Sequence, residues 1–115
     1  MDFIYEGFAC VSANADGEVV FSRNGGEIRV DCVDVSRGQF IPMRRYTISL
    51  IMGIDPSGNT FLMKSFMVDK FNNFIVSLAS SNSQCKLEIK MPLDSYKKED
   101  MESFSINKKY SVKIE

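Results

Sequence analysis

Apolar and polar residues alternate along most of the chain, and this alternation predicts a protein built from β-strands. The clearest stretch runs from Tyr46 to Val68, where two apolar runs flank the turn sequence Asp55-Pro56-Ser57-Gly58. Residues at every second position of a strand share one face of a sheet. In the turn, proline presets φ and glycine tolerates the closing geometry. We therefore predict a β-hairpin over Tyr46 to Val68. The inward positions of its first strand are Tyr46, Ile48, Leu50, Met52 and Ile54.

Three more strands and one loop are predicted before this hairpin. A first strand covers Phe3 to Val11, and Gly7 inside it marks a bulge. Two β-branched runs, 18–23 and 27–35, flank Asn24-Gly25-Gly26, and Asn-Gly is the strongest short hairpin signal. The segment from 36 to 45 has no sustained alternation and contains a proline, which cannot donate to a central ladder. We expect a loop there.

Residues 69–80 fit two different structures. Apolar residues recur there at helical spacing, so a helix from about Asp69 to Ser80 is one reading, and it would give an OB-like α+β barrel. Phe74, Val76 and Leu78 also alternate, which predicts a strand paired with residues 85–91. We favour the strand, because Asn and Ser are poor residues for a helix interior and the β-branched pair at 75–76 suits a sheet.

The C-terminal part predicts a strand, a helix and a last strand. Residues 85–91 alternate and end at Pro92. A short helix follows from Asp94 or Ser95 to Phe104, and residues 109–115 form a closing strand. The predicted fold is one domain over residues 1–115, an all-β, mainly antiparallel small barrel or sandwich of about seven strands with one short C-terminal helix. The OB-like barrel is the alternative.

Composition and charge limit the classes of molecule that this protein is expected to bind. The 115 residues are 44% hydrophobic and 25% charged, which is usual for one globular domain. The net charge of −1 gives no field that would hold nucleic acid by charge alone, so a protein partner or self-association is favoured. The first residues contain no signal sequence, and no apolar run is long enough to span a membrane. We expect a cytoplasmic protein without membrane contact.

The residue inventory argues against catalysis. The chain has no histidine, which removes the Ser-His and Cys-His pairs and the commonest metal ligand. Its three cysteines, Cys10, Cys32 and Cys85, lack zinc-site spacing, and we expect each to be a small core residue in a reducing compartment. We predict no catalytic residue, no metal and no cofactor.

The best functional candidate is the stretch from Arg37 to Tyr46. It mixes guanidinium groups with apolar and aromatic side chains, the chemistry of protein-binding hot spots and of single-strand nucleic-acid sites. The predicted partner-binding residues are Arg37, Phe40, Arg44, Arg45 and Tyr46. A structural alternative is that Phe40 and Ile41 fill the core from the loop while the arginines lie in water. Four clustered methionines, Met43, Met52, Met63 and Met67, suggest an adaptable core or a self-association face.

The C-terminal part contains Leu87-Glu88-Ile89-Lys90-Met91 and a run from Phe104 to Ile114 that follows the pattern Phe-x-x-Gly-Lys-x-Tyr-x-Val, with Asn107 in place of glycine. In these two segments the sequence resembles the end of many small tailed-phage β-barrel proteins of unassigned function. The resemblance covers about 30 residues and implies a phage-encoded accessory or virion protein. It supplies no catalytic residue.

Two functions from different classes follow. The first is a non-enzymatic protein-binding module, phage-encoded as the resemblance implies, that inhibits a host factor or serves as an assembly subunit through the Arg37 to Tyr46 stretch or an exposed sheet edge. The second is an OB-like single-stranded nucleic-acid binder that stacks bases on Phe40, Tyr46 or Phe61.

Overall fold

Eight strands close into an antiparallel barrel in the computed structural model of the protein. The structure describes residues 3–13, 18–32, 40–53, 60–80, 85–93 and 108–115. The strands are β1 (Phe3–Ala13), β2 (Glu18–Arg23), β3 (Gly26–Cys32), β4 (Arg45–Met52), β5 (Thr60–Val68), β6 (Asn73–Ser80), β7 (Cys85–Pro92) and β8 (Lys109–Ile114). Around the barrel they follow the order β1-β2-β3-β7-β6-β5-β8-β4. The prediction of a small all-β barrel is confirmed, with eight strands instead of about seven.

The interior of the barrel is filled by large apolar side chains. Phe21, Ile48 and Ile89 are completely buried, and no polar or charged residue of the described ranges belongs to the buried class. An eight-stranded barrel has an interior about wide enough for side chains. Functional groups are therefore to be sought on the outer surface and at the two ends. No helix of the described ranges is long and apolar enough to cross a membrane.

Strands β4 and β5 are not partners, so the predicted hairpin over Tyr46 to Val68 is wrong. Strand β8 lies between them: Leu50 of β4 faces Val112, and Phe61 of β5 faces Tyr110. Because each is antiparallel to β8, β4 and β5 run parallel to each other. Alternation shows which face of a strand is buried but not which strand lies beside it. The predicted turn Asp55 to Gly58 lies outside the described residues.

Residues 69–80 form a turn and a strand, so the helix and the OB-like barrel are wrong. Strand β6 pairs with β7 along its length, with Leu78 opposite Leu87. The turn before it is closed by Asp69, whose carboxylate accepts the backbone N–H groups of Phe71 and Asn73 at 2.9 Å each. This side-chain cap and the β-branched residues of β6 outweigh the helical spacing. The helix predicted from Asp94 or Ser95 to Phe104 lies outside the described residues.

Two predictions about local backbone are confirmed. The Asn24-Gly25 hairpin joins β2 to β3, and both residues have positive φ (52° and 80°), as a tight hairpin turn requires. In β1 the pairing with β4 shifts between Tyr5 and Phe8, and Gly7 inside this bulge has φ +70°. The glycine therefore marks a real break in the β1–β4 ladder.

Candidate functional site

A tight turn over Ile41–Arg44, here named the Pro42 turn, stands directly before β4. The N–H of Arg44 donates to the carbonyl of Ile41 at 3.1 Å. Proline occupies the second position, and Met43 in the third has φ +67°. This is the pattern of a type II turn, whose third position normally takes glycine. A non-glycine residue there costs about 1 kcal/mol, so the surrounding structure has to hold it.

Three hydrogen bonds hold the Pro42 turn against the barrel. The N–H of Met43 donates to the carbonyl of Cys10 at 2.8 Å, and the N–H of Cys10 donates to the carbonyl of Arg44 at 3.0 Å. The N–H of Ile41 donates to the hydroxyl of Tyr46 at 2.9 Å. The turn is thereby fastened to β1 on one side and to a core residue on the other. Strained residues that are over-determined in this way cluster at functional sites.

Phe40 and Tyr46, two of the predicted site residues, belong to an aromatic cluster with Phe21. The three rings meet edge to face, with centroids 5.3 Å apart for Phe21–Phe40 and for Phe40–Tyr46, and 5.7 Å for Phe21–Tyr46. Tyr46 is buried and Phe40 is half-buried against the core. Both rings therefore support the turn from beneath. Arg37 lies outside the described residues.

The exposed surface of the turn is apolar with one guanidinium beside it. Ile41 is 52% and Met43 is 72% exposed. The expectation that Ile41 fills the core is therefore wrong. Arg44 is exposed, and its guanidinium group makes no hydrogen bond or ion pair with any residue that the structure describes. Rigid backbone thus presents two uncovered apolar side chains next to a cation.

Arg45, the next candidate, is used by the barrel itself. Its Nη1 donates to the carbonyl of Gly7 at 2.8 Å, and Nη1 of Arg23 donates to the neighbouring carbonyl of Glu6. Both carbonyls belong to the β1 bulge, where the strand ladder is interrupted. The two guanidinium groups thus donate hydrogen bonds to backbone carbonyls between Tyr5 and Phe8, where the regular pairing of β1 with β4 is interrupted. Arg44 and Arg45 are adjacent in sequence but have different roles.

Sequence reasoning leaves the position of Met43 open. Its clustering with three other methionines suggests either an adaptable core or a self-association face. The structure buries Met63 completely and exposes Met43 at the turn. The available signal was Pro42, because the residue after a proline often occupies the third position of a type II turn, where its side chain points away from the chain.

A shallow cleft of about 340 Å³ lies on the outer face of β2, β3, β7, β6 and β5. Its charged lining consists of Glu18, Asp31, Glu88, Arg29, Lys64 and Lys86. Arg29 is paired with Glu18 at 3.3 Å and with Glu27 at 3.5 Å. Because acidic and basic groups are equal in number, the cleft creates no field of one sign. Exposed pairs of this kind contribute little to stability or selectivity.

The cysteines divide into two kinds. Cys10 is free and buried, as predicted, and burial raises the pKa of its thiol, which keeps it protonated and unreactive. Cys85 is disulfide-bonded, so the expectation of a free core thiol is wrong there. The backbone of Cys32 is its direct neighbour in the β3–β7 register. Among the described residues, no three Cys, Asp or Glu side chains come together as a metal site.

The arrangement at the Pro42 turn is suited to binding. It offers a fixed backbone, two exposed apolar side chains and a cation. The other exposed large apolar residues of the described chain lie on β1, on β4, on β5 and on the turn after β5: Ile4, Val11, Ile51, Met52, Phe66, Met67, Val68 and Phe71. Comparison with known proteins adds no identity: no family model matches the chain, and no curated protein matches it.

Proposed function

We propose that this protein is a non-enzymatic protein-binding module that engages its partner with the Pro42 turn. The observation that carries the proposal is the exposure of Ile41 and Met43 on strained backbone that three hydrogen bonds hold in place. A preorganised turn loses little conformational entropy on binding. Methionine and arginine are both enriched in protein–protein interfaces relative to other surface.

The chemistry of the turn indicates the complementary surface. Ile41 and Met43 need an apolar pocket, and the neighbouring Arg44 needs a carboxylate at its rim. Methionine is unbranched and polarizable, so it adapts to an irregular pocket. The partner surface that fits best is a shallow apolar groove with an acidic edge.

The biological setting of the proposal comes from the C-terminal resemblance to small tailed-phage proteins. A phage-encoded binding module would act as an inhibitor of a host factor, such as a defence protein, or as an accessory subunit in virion assembly. Neighbouring genes distinguish the two roles: head and tail genes would favour assembly, and anti-defence genes would favour inhibition.

Replacing Met43 with Asp together with Arg44 with Glu is expected to abolish capture of the partner by the immobilised protein. The double variant removes an apolar contact and reverses the charge of the cation. Asp is enriched at positive φ, so it suits the backbone of the third turn position. Loss of a central interface contact typically costs 2 kcal/mol or more, on the order of a thirtyfold loss of affinity. Comparative pull-down with quantitative mass spectrometry measures the effect.

The matched control replaces Phe71 with Asp together with Lys70 with Glu. These residues form an equally exposed apolar and basic pair on the turn between β5 and β6. The control is expected to capture as the native chain does, and both variants should keep the native circular dichroism spectrum. Equal capture by the native chain and the Met43/Arg44 variant would refute the assignment.

Single-stranded nucleic acid is the alternative partner, and the same preparations test it. Its proposed stacking residues Tyr46 and Phe61 are buried, and the half-buried Phe40 already contacts the rings of Phe21 and Tyr46 edge to face. Stacking needs an open aromatic face. We expect no change in the anisotropy of a labelled oligonucleotide at low salt. Saturable binding that the Met43/Arg44 variant loses would favour the nucleic-acid function instead.

We propose a cytoplasmic location on the basis of the phage resemblance, although the disulfide at Cys85 counts against it. Cytosolic reductants keep most protein thiols reduced. In the cytoplasm, Cys85 is therefore expected to react with an alkylating agent after rapid acid quenching of intact cells. Labelling of Cys85 measured by peptide mass spectrometry would agree with the cytoplasm, whereas a fully blocked Cys85 would contradict it. Cys10, labelled only after denaturation, serves as the internal reference for a free thiol.

A further inference from the structure

Two arginines from different strands meet at the β1 bulge. Arg23 ends β2 and Arg45 begins β4, and these strands are the two neighbours of β1 in the barrel. The Nη1 atom of Arg23 donates to the carbonyl of Glu6, and that of Arg45 donates to the carbonyl of Gly7 at 2.8 Å. Because these carbonyls belong to consecutive residues, both guanidinium groups converge on one short piece of backbone. We name the two side chains the arginine pair.

The two guanidinium groups lie close together and are exposed. A Cβ atom at Gly7 would lie 3.3 Å from Nη1 and 3.6 Å from Cζ of Arg23, so the guanidinium group of Arg23 lies directly beside this glycine. Arg45 binds the carbonyl of the same residue. Since the Cβ position and the carbonyl oxygen of one residue are about 3 Å apart, the two Nη1 atoms are separated by at most about 10 Å. Both arginines belong to the exposed residues of the chain.

The described part of the chain does not neutralise the arginine pair. Neither guanidinium group forms an ion pair with a described carboxylate. Glu6 stands at the bulge, yet it contributes its carbonyl to Arg23 and no ion pair. Arg29 is different, because Glu18 and Glu27 both pair with it. The arginine pair therefore presents two positive charges side by side.

Most hydrogen-bond donors of the arginine pair remain available to a ligand. A guanidinium group carries five N–H donors, and the bulge is bound through Nη1 of each group. These hydrogen bonds hold both groups in place, which lowers the entropic cost of binding. Thr47 lies two residues after Arg45 on the same face of β4, and it stands opposite the bulge between the Tyr5–Ile48 and Phe8–Tyr46 pairs. Its hydroxyl adds a further donor beside the two guanidinium groups.

We propose that the arginine pair binds the phosphoryl group of a phosphate monoester. The planar fork of a guanidinium group matches two phosphate oxygens at once. At neutral pH the phosphoryl group of a monoester carries a charge of about −2, which the two arginines balance. A carboxylate or a phosphodiester carries a single negative charge and leaves one arginine uncompensated. The three terminal oxygens of the monoester also suffice for both forks and the Thr47 hydroxyl.

The experiment is an NMR titration of the isotopically labelled protein at constant ionic strength. The probes are inorganic phosphate and the phosphate monoester N-acetyl-O-phosphoserine amide. We expect the amide signal of Gly7 and the Nε–H signals of Arg23 and Arg45 to follow one saturation curve, with a dissociation constant on the order of 1 mM. Equal affinity for both probes would indicate a free phosphate or small phosphate ester as the natural ligand, and tighter binding of the phosphoserine amide would indicate a phosphorylated side chain. Acetate and a dinucleotide phosphodiester should bind about tenfold or more weakly.

Substitutions locate the binding on the arginine pair. Arg23→Gln and Arg45→Gln are each expected to weaken binding of the phosphoserine amide about tenfold, since each removes a charge and a fork. Arg29→Gln is the matched control, because Arg29 is also exposed but is already paired with acidic groups. It should bind as the native chain does. Arg45→Lys keeps the charge and a donor for the Gly7 carbonyl, so it should keep the fold and bind about threefold or more weakly.

Circular dichroism shows which variants are folded, and Arg45→Lys decides the matter if the Gln variants are not. A native chain that shows no saturation up to about 50 mM of the phosphoserine amide would overturn the proposal. So would native affinity in Arg23→Gln, Arg45→Gln or Arg45→Lys, or a phosphodiester that binds as tightly as the monoester. The titration uses the protein alone, so its outcome does not depend on whether the Pro42 turn captures a protein partner.

Discussion

A chain that stops at residue 107, and so lacks β8, is expected to lose cooperative folding. Strand β8 is the link between β4 and β5, and its Tyr110 is completely buried between Met52 and Phe61 in the sheet. Removing it opens the barrel, leaves two strand edges without partners and uncovers the core. Truncating one buried aromatic side chain costs about 3–5 kcal/mol, and the lost ladder adds to this, against a total stability of about 5–15 kcal/mol. Thermal and urea unfolding followed by circular dichroism measures the loss.

Adding the missing strand as a separate peptide makes this test specific. A synthetic peptide of residues 108–115 is expected to restore a cooperative transition to the shortened chain. The matched peptide with Tyr110→Asp should not, because it would bury a carboxylate in the core. If the shortened chain unfolds cooperatively without any peptide, cooperative folding does not depend on β8 and the prediction is wrong.

The sequence predicts where the strands of this fold lie far better than it predicts which strands pair with each other. The sequence predicts both β4 and β5, because the inward residues of β4 up to Leu50, and Phe61 and Met63 of β5, alternate and are buried. Met52, predicted to face inward, is 40% exposed, so that part of the prediction is wrong. The predicted pairing of β4 with β5 is wrong. A short connection favours a hairpin, and no local sequence signal indicates that β8, from the C-terminal end of the chain, lies between them. Strand β8 has to be placed by tertiary packing, which depends on all eight strands at once.

The candidate site shows the same limit at the scale of single residues. The arginine and aromatic content of 37–46 makes this stretch a candidate, but composition cannot tell which side chain supports the turn and which is exposed. Tyr46 and Phe40 turn inward because Phe21 of β2 lies beneath them, 19 residues before Phe40 and 25 before Tyr46 in the chain. Arg45 is engaged because the β1 bulge offers the Gly7 carbonyl. Both causes lie in strands distant in sequence.

Replacing Phe21 with Ala is expected to lower the free energy of unfolding by about 3–5 kcal/mol, the range for a fully buried aromatic side chain. Phe21 is completely buried, and its ring makes two of the three ring contacts of the aromatic cluster, one with Phe40 and one with Tyr46. Its removal leaves a cavity beneath Phe40 and Tyr46. Urea unfolding measures the change, and Phe71→Ala is the matched control, since Phe71 is 73% exposed. The control should change stability by less than about 0.5 kcal/mol.

The same substitution connects the core to the proposed binding surface. Tyr46 accepts the N–H of Ile41, so a ring that can shift into the cavity loosens the hydrogen bond that holds the Pro42 turn. Amide exchange at Ile41 and Met43 is expected to accelerate more than global destabilisation explains, whereas amides of the β6–β7 ladder should follow global stability alone. Tyr46→Phe, which removes only the hydroxyl, should accelerate Ile41 at a stability cost of about 1 kcal/mol. Uniform acceleration in both variants would mean that the turn keeps its shape without the aromatic cluster, and the strained Met43 would then need another support.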